Sequence, residues 1–505
     1  MATASCSYSS TPTEKDPYSY QCGFGNRFTS EAIPDVLPQG RNCPQKVRFD
    51  LYSEQLNGSS FVASRSALQH VWMYRILPSV AHKEISKSDI NPKVEACFSP
   101  LNLRVEYSPS QQAWDPFTLP EESSSIDFVQ GLRTIGGQGD AVNKSGIAIH
   151  IYSVNASMER RAFCNNDGDF LILPQQGRLD IQTELGHLMV RPGELVVIQA
   201  GIRFKVSLPE GPSRGYVQEI FGAHYELPEL GPVGSNGMAL PRDFEMPLAS
   251  FDIDHDSEWE IVYKLAGNLH SCRQDHTPFD VVAWHGNLVP YKYAIEKFIN
   301  MANVEVDQAD PTIYCVLTAK SHIPGTSLTD FLVFTRKWIS THDTFRPPYY
   351  HRNMSTEIMG LVYGTYGGSS HALEPGGLSY EAAYMPHGET YGTWRDATTR
   401  ELVPIRICEG TLAFMFHISV PLLLTEFVMT NSGRHPASVN QWEGVQGHFL
   451  QHLDEVNEGL VAAGRPELKV TREGILANVV GAVPKKINDT EDVKTIGVNI
   501  LPAEG

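Results

Sequence analysis

Phe345-Arg-Pro-Pro-Tyr-Tyr-His-Arg-Asn-Met-Ser-Thr-Glu-Ile-Met-Gly360, read with Pro386-His387-Gly388 downstream, decides how this chain folds. The two pieces supply two imidazoles and one carboxylate: His351, Glu357 and His387. Two histidines and one carboxylate are the ligand set of a mononuclear non-haem Fe(II) site with open coordination positions. Five residues separate His351 and Glu357 in a β-rich stretch, and His387 follows about one hairpin later. On its own, a His-x5-Glu pair is more often two unrelated surface residues. Pro-His-Gly at hairpin distance moves the balance towards a site, because a small β-barrel brings inward-pointing residues of separate strands to one point. Pro347-Pro348 is expected to stiffen the entry to the first strand, and Gly360 to allow a tight exit.

The first piece resembles the cupin metal motif His-x-His-x3-Glu-x2-Gly, with Asn353 in place of the second histidine. The second resembles the Gly/Pro-rich turn that returns the last histidine to the same barrel. Upstream, Ile147-Ala-Ile-His-Ile-Tyr-Ser-Val154, Asp169-Phe-Leu-Ile-Leu-Pro174 and Gly193-Glu-Leu-Val-Val-Ile-Gln-Ala-Gly201 read as short strands between Gly, Pro and Asn turns. Residues 312–318 and 330–335 open a second barrel, which ends with Gly410-Thr-Leu-Ala-Phe-Met-Phe-His-Ile-Ser419.

The expected architecture is mainly β, with two domains in a bicupin-like arrangement. A flexible arm (1–20) precedes an N-terminal β-rich domain (21–290), a C-terminal jelly-roll domain carrying the metal (291–465) and a tail (466–505). In the first barrel Ile202 and Arg203 stand where ligands would sit, so that barrel is read as structural, with His150 and His187 satisfied by hydrogen bonds. Residues 226–260 read as a long irregular connection, and a short helix is expected near Tyr291 to Met301. A further helix is expected from Ser438 to Gly464, on an apolar stripe of Trp442, Val445, Phe449, Leu453, Val456 and Leu460. His448 and His452 lie four apart on it and read as partly exposed helix histidines rather than a metal pair.

With 41% hydrophobic and 19% charged residues, 505 residues suffice for ordinary globular cores. No apolar run approaches the roughly 18 residues of a membrane span. The polar start lacks the basic and apolar parts of a signal peptide, which points to the cytoplasm. A net charge of −18 without a basic cluster argues against nucleic acid or an anionic membrane as partner. A small anionic substrate needs only one or two local cations and stays open. The eight cysteines are scattered, with no Cys-x2-Cys pair, and read as free thiols rather than zinc ligands.

Longer stretches carry a more specific likeness: Gly23-Phe-Gly-Asn, Leu51-Tyr-x-Glu-Gln-Leu-x-Gly58, Tyr74-Arg-Ile-Leu-Pro-Ser-Val80, Asp167-Gly-Asp-Phe-Leu-Ile172, Trp284-His-Gly-Asn287, Phe345 to Asn353, and Gly410-Thr-x-Ala-Phe-Met-Phe416. In this order they resemble the homogentisate 1,2-dioxygenase family, over nearly the whole chain up to about residue 460. The resemblance implies Fe(II) held by His351, Glu357 and His387, a pocket tyrosine at Tyr366, and a homohexamer built as a dimer of trimers. It implies cleavage of homogentisate by O2 to maleylacetoacetate, in tyrosine and phenylalanine catabolism. Tyr349, Tyr350 and Arg352 flank the ligands and are candidates for orienting them or the substrate; barrel packing and rim charge explain them equally.

Two departures bear on proton transfer. Where the family has a pocket histidine this chain has Gln308, in Asp307-Gln-Ala-Asp-Pro311; where it has a histidine six residues before the last ligand this chain has Glu381. Gln308 can hydrogen-bond but is no base near neutral pH, whereas Glu381 can take a proton. His417 also departs from the family's Phe-Glu-Ser, and the loop Gly367-Gly-Ser-Ser-His371 lacks an expected lysine. The expectation is therefore a homogentisate dioxygenase. The alternatives are a paralogue that cleaves another hydroquinone or phenolic acid with the same iron chemistry, and a non-catalytic bicupin binding or storage protein.

Overall fold

The computed structural model describes residues 16–41, 44–229, 238–298, 314–339, 349–366, 373–401, 403–436 and 442–468, with a short hairpin at 470–471 and 474–475. Short runs between Gly and Pro turns build sheet almost throughout, so the architecture is mainly β. Among the described residues, the largest sheet has eleven strands. Its centre runs, strand beside antiparallel strand, through Glu194–Ile198, Gly168–Gln176, Ser213–Phe221, Ser145–Val154 and Leu132–Asp140. One face of this sheet packs against a seven-stranded sheet over Phe163, Phe170, Ile172, Val196, Phe204 and Val217. These strands are buried on both faces, which is why they read as near-continuous apolar runs.

An eight-stranded antiparallel sheet covers the other face. Its strands are β1 (Gln112–Trp114), β2 (Tyr225–Glu226), β3 (Cys315–Lys320), β4 (Ser327–Phe334), β5 (Thr356–Tyr363), β6 (Leu378–Glu381), β7 (Leu412–Ile418) and β8 (Arg434–Pro436). Across the sheet they run β2-β3-β4-β7-β5-β6-β1-β8. Phe331, Val333, Ile358, Phe414 and Phe416 point into the core shared with Leu171, Leu173 and Ile220 of the large sheet. Tyr216 pins the two sheets together. Its ring lies 4.7 Å from that of Phe414, and its hydroxyl donates to the carbonyls of Leu361 (3.2 Å) and Gly377 (3.0 Å). The alternate residues of β5, Glu357, Met359 and Leu361, therefore face away from this core.

Both barrels lie within one compact unit that runs to Glu443, and the boundary expected at 290/291 falls inside it. Edge strands are exchanged between the halves: β1 and β2 join the second barrel's sheet, while Leu423–Thr425 joins the eleven-stranded one.

Several local expectations change. Tyr291–Ala294 is a strand followed by a 3-10 turn at Ile295–Lys297, not a helix, because Tyr291 and Tyr293 both bury their rings in the core. Gly360 is not an exit turn. It sits mid-strand opposite Phe414, where a Cβ would lie 2.3 Å from that ring, and the turn falls at Gly364 with φ +87°. Pro347 and Pro348 lie outside the described residues. The last residues of the expected arm are tied down: Asp16 accepts from Lys292 Nζ at 2.6 Å, and Tyr20–Cys22 pairs with Phe244–Pro247. The six described cysteines are free thiols.

The second compact unit, from Gly444, contains a 3-10 turn (Phe449–His452) and α1 (Leu453–Ala462), ended by Gly464 at φ +69°. The longer helix expected from residue 438 does not form over 444–448. Gly444, at φ +96°, and Gly447 interrupt the apolar stripe. His452 is exposed and paired with Glu455 at 3.5 Å.

Candidate metal centre

The face of β5 that turns away from the core carries Glu357, and two short backbone segments bring the histidines to it. His351 and His387 form an isolated antiparallel bridge, each amide donating to the other's carbonyl at 3.0 and 3.1 Å. That bridge fixes two residues far apart in sequence side by side, with ring centroids 4.2 Å apart. Gly388, at φ +154°, turns the chain away beside Tyr350.

The ligand atoms of His351, Glu357 and His387 lie within 4.8 Å of one another. His387 Nε2 is 3.3 Å from Glu357 Oε2, and His351 Nε2 is 3.7 Å from Glu357 Oε1. Each imidazole turns Nδ1 to a backbone carbonyl, His387 to Met385 at 2.9 Å and His351 to Tyr349 at 3.3 Å. That orients both Nε2 atoms towards the carboxylate, as outer hydrogen bonds do for metal-bound histidines. Asn353 Nδ2 donates to Glu357 Oε1 at 2.8 Å and so holds the carboxylate. The position that departs from the cupin motif thus supports a ligand instead of being one.

Burial raises the Glu357 carboxyl, but the two imidazoles beside it and the Asn353 amide outweigh it and hold the group well below the usual carboxylate range. Burial lowers His387, yet the Glu357 carboxylate beside it pushes it up to about 9. His387 is 6% exposed, and its Nε2 is buried without a hydrogen-bond partner among the described residues. An orphaned buried nitrogen aimed at a carboxylate and a second imidazole fits a divalent cation with mixed nitrogen and oxygen ligands.

The other expected site residues scatter. Glu381, on β6, is directly opposite Glu357 and shares its face. Tyr366 packs against Met359, Leu361 and Phe334; burial, with the charge of Glu389 next, raises its hydroxyl. Tyr349 and Tyr350 are exposed, as is Arg352, with the Tyr349 ring 5.3 Å from that of His351. Gln308 and the loop 367–371 lie outside the described residues. Two groups had no role in sequence reasoning, Glu389 unremarked and His417 noted only as a departure. Glu389 is pushed up to about 7 by burial alone and has an unpartnered Oε2 among the described residues. His417 flanks Glu357 on β7. Neither carries a local signal, since both depend on what packs beside them.

The first barrel differs. His150 bonds Thr134 Oγ1 (2.9 Å) and Glu219 Oε2 (3.1 Å), and Arg203 donates to the Tyr263 hydroxyl at 2.8 Å. His187 lies 3.5 Å from Asp180 and stacks on Tyr18.

The family model described as homogentisate 1,2-dioxygenase N-terminal matches residues 19–295, and the corresponding C-terminal model matches residues 296–449. The chain is 44% identical to the homogentisate 1,2-dioxygenase of Caenorhabditis elegans, over 86% of this chain and 99% of that one. It is 46% identical to that of Dictyostelium discoideum, over 83% and 95%. For the Homo sapiens enzyme the identity is 44%, over 85% and 96%.

Proposed function

We propose a function for this chain from one premise: it belongs to the homogentisate 1,2-dioxygenase family. It is an aromatic ring-cleaving dioxygenase, and its substrate is homogentisate, which O2 opens to 4-maleylacetoacetate in tyrosine and phenylalanine breakdown. The observation that carries the reading is the convergence of His351, Glu357 and His387, with His387 Nε2 left for a cation. Fe(II) is the proposed cofactor. Bound there, it supplies Lewis acidity that favours the substrate phenolate and a place for O2.

The chain's own residues do the rest. Asn353 keeps the Glu357 carboxylate turned to the site, and the Met385 and Tyr349 carbonyls keep both imidazoles aimed. Met359 and Leu361 pack with Leu373, Ala413 and Tyr366 into an apolar cluster on the same face as Glu357. Glu381 is the proposed acceptor of a hydroxyl proton, with Gln308 as a hydrogen-bonding partner. Tyr349, Tyr350 and Arg352 are proposed rim contacts. A homohexamer arranged as a dimer of trimers and a cytoplasmic location are proposed on the family resemblance, and sedimentation and cell fractionation check them.

Oxygen uptake by anaerobically Fe(II)-loaded protein, offered homogentisate, gentisate and larger hydroquinones in parallel, tests the reading. Uptake with homogentisate and formation of the ring-opened product are expected. The paralogue reading keeps one observation in its favour, the carboxylate of Glu381 directly opposite Glu357. Uptake with another ring only would establish that reading instead.

A further inference from the structure

Directly opposed residues of antiparallel neighbours share a face. Asp330 on β4, His417 on β7, Glu357 on β5 and Glu381 on β6 are opposed in turn, so they form one line across the metal face. The metal-ligating carboxylate therefore has an imidazole on one flank and a second carboxylate on the other. The imidazole is held from behind. His417 Nδ1 lies 3.4 Å from Asp330 Oδ2, and Asp330 accepts hydrogen bonds from Thr318 Oγ1 at 2.7 Å and Ser327 Oγ at 2.9 Å. The His417 side chain is 28% exposed.

We propose that His417, oriented by Asp330, determines specificity by binding the carboxylate of the substrate's side arm. This rests on the aromatic-acid reading above and extends it to a residue outside the ligand motif. Opposed side chains in a sheet have Cβ atoms about 4.5–5.5 Å apart. A substituent ortho to a ring oxygen held at the metal stays within about that span, so it meets a neighbour of Glu357. The two neighbours are electrostatically unequal. Glu381 repels an anionic arm and suits a neutral hydroxyl, whereas the imidazole attracts the anion. One row along, Leu332, Met415 and Met359 are opposed in the same way and offer an apolar bed for the ring.

The test compares homogentisate with its methyl ester. Kd is measured by anaerobic calorimetry on Zn(II)-loaded wild type, His417→Leu and Asp330→Asn; kcat and KM follow on the Fe(II)-loaded proteins. His417→Leu should weaken the acid by about 10-fold to 100-fold and the ester by less than about 3-fold, the range for losing a hydrogen bond to a charged group. Asp330→Asn should act in the same direction with a smaller factor, and it keeps the test alive if His417→Leu does not fold. Equal weakening of acid and ester, or no change in either, overturns the role of His417 while wild-type turnover of homogentisate leaves the family reading intact. Wild type that neither binds nor turns over any aromatic acid overturns both.

Discussion

His150, Glu219 and Asp167 in the first barrel and His351, Glu357 and His387 in the second are both buried clusters of imidazole and carboxylate. In the first, the protein brings its own cation. Lys264 Nζ, fully buried, lies 2.7 Å from Asp167 Oδ2 and 2.8 Å from Glu219 Oε1, while His150 takes the other oxygen of Glu219. Both carboxylates share the one ammonium, and the Ala266 and Gly267 amides complete Asp167, so the cluster is satisfied within the chain. In the second, Glu357 is met by the two imidazoles and by Asn353, and His387 Nε2 is buried without a hydrogen-bond partner among the described residues. The difference teaches that histidines and carboxylates alone do not mark a metal site. A resident ammonium closes the first cluster, whereas the second has only imidazoles and an amide around its carboxylate among the described residues.

Breaking the second cluster should have the largest effect. His387→Ala should abolish turnover and reduce metal stoichiometry, read by plasma mass spectrometry. The loss in metal affinity should exceed the roughly 10–100-fold that goes with losing an outer partner. Full metal content in this variant would remove the contrast between the barrels. Next comes Lys264→Met, which leaves Asp167 and Glu219 buried without their cation. Breaking a buried pair this way costs about 3–5 kcal/mol, and denaturant unfolding should show it with little change in metal content.

Acid sharpens the comparison further. Burial raises the Glu219 carboxyl, but the Lys264 charge and His150 outweigh it and bring it from the usual 4.5 down to about 2. A depressed carboxyl stabilises the fold fully above its ordinary pKa and loses that contribution as pH falls towards the folded value. About 3 kcal/mol should therefore disappear between pH 4.5 and 2, and Glu219→Gln should flatten that slope. An unchanged slope would mean that another group governs acid unfolding. Smallest is Asn353→Ala, which frees Glu357 without touching a ligand. About a 10-fold loss of metal affinity with normal unfolding is expected, and an unaltered affinity would show that the strand alone orients the carboxylate.

Much of this was legible in the chain. The strands at 147–154, 169–174 and 194–198 announced themselves by β-branched runs between turn residues, and the structural role of the first barrel followed from Ile202 and Arg203. The convergence of His351, Glu357 and His387 was legible too, because their residue types and spacing suit metal ligation. Errors came where a local signal had more than one cause. Gly360 looked like a turn, yet it makes room for Phe414 across the sheet. The stripe after residue 438 kept helical period through two glycines that the backbone uses to bend.

By itself the sequence determined the β-rich class and the family, and it singled out His351, Glu357 and His387 as candidate ligands, since these rest on residue identity and short spacing. Only the tertiary structure decided which face of β5 holds the site and that His417 and Glu381 flank Glu357. It also decided that Lys264 closes the first barrel's cluster. Those relations join residues from separate strands, and strand register follows from how whole sheets pack, not from any short stretch of chain.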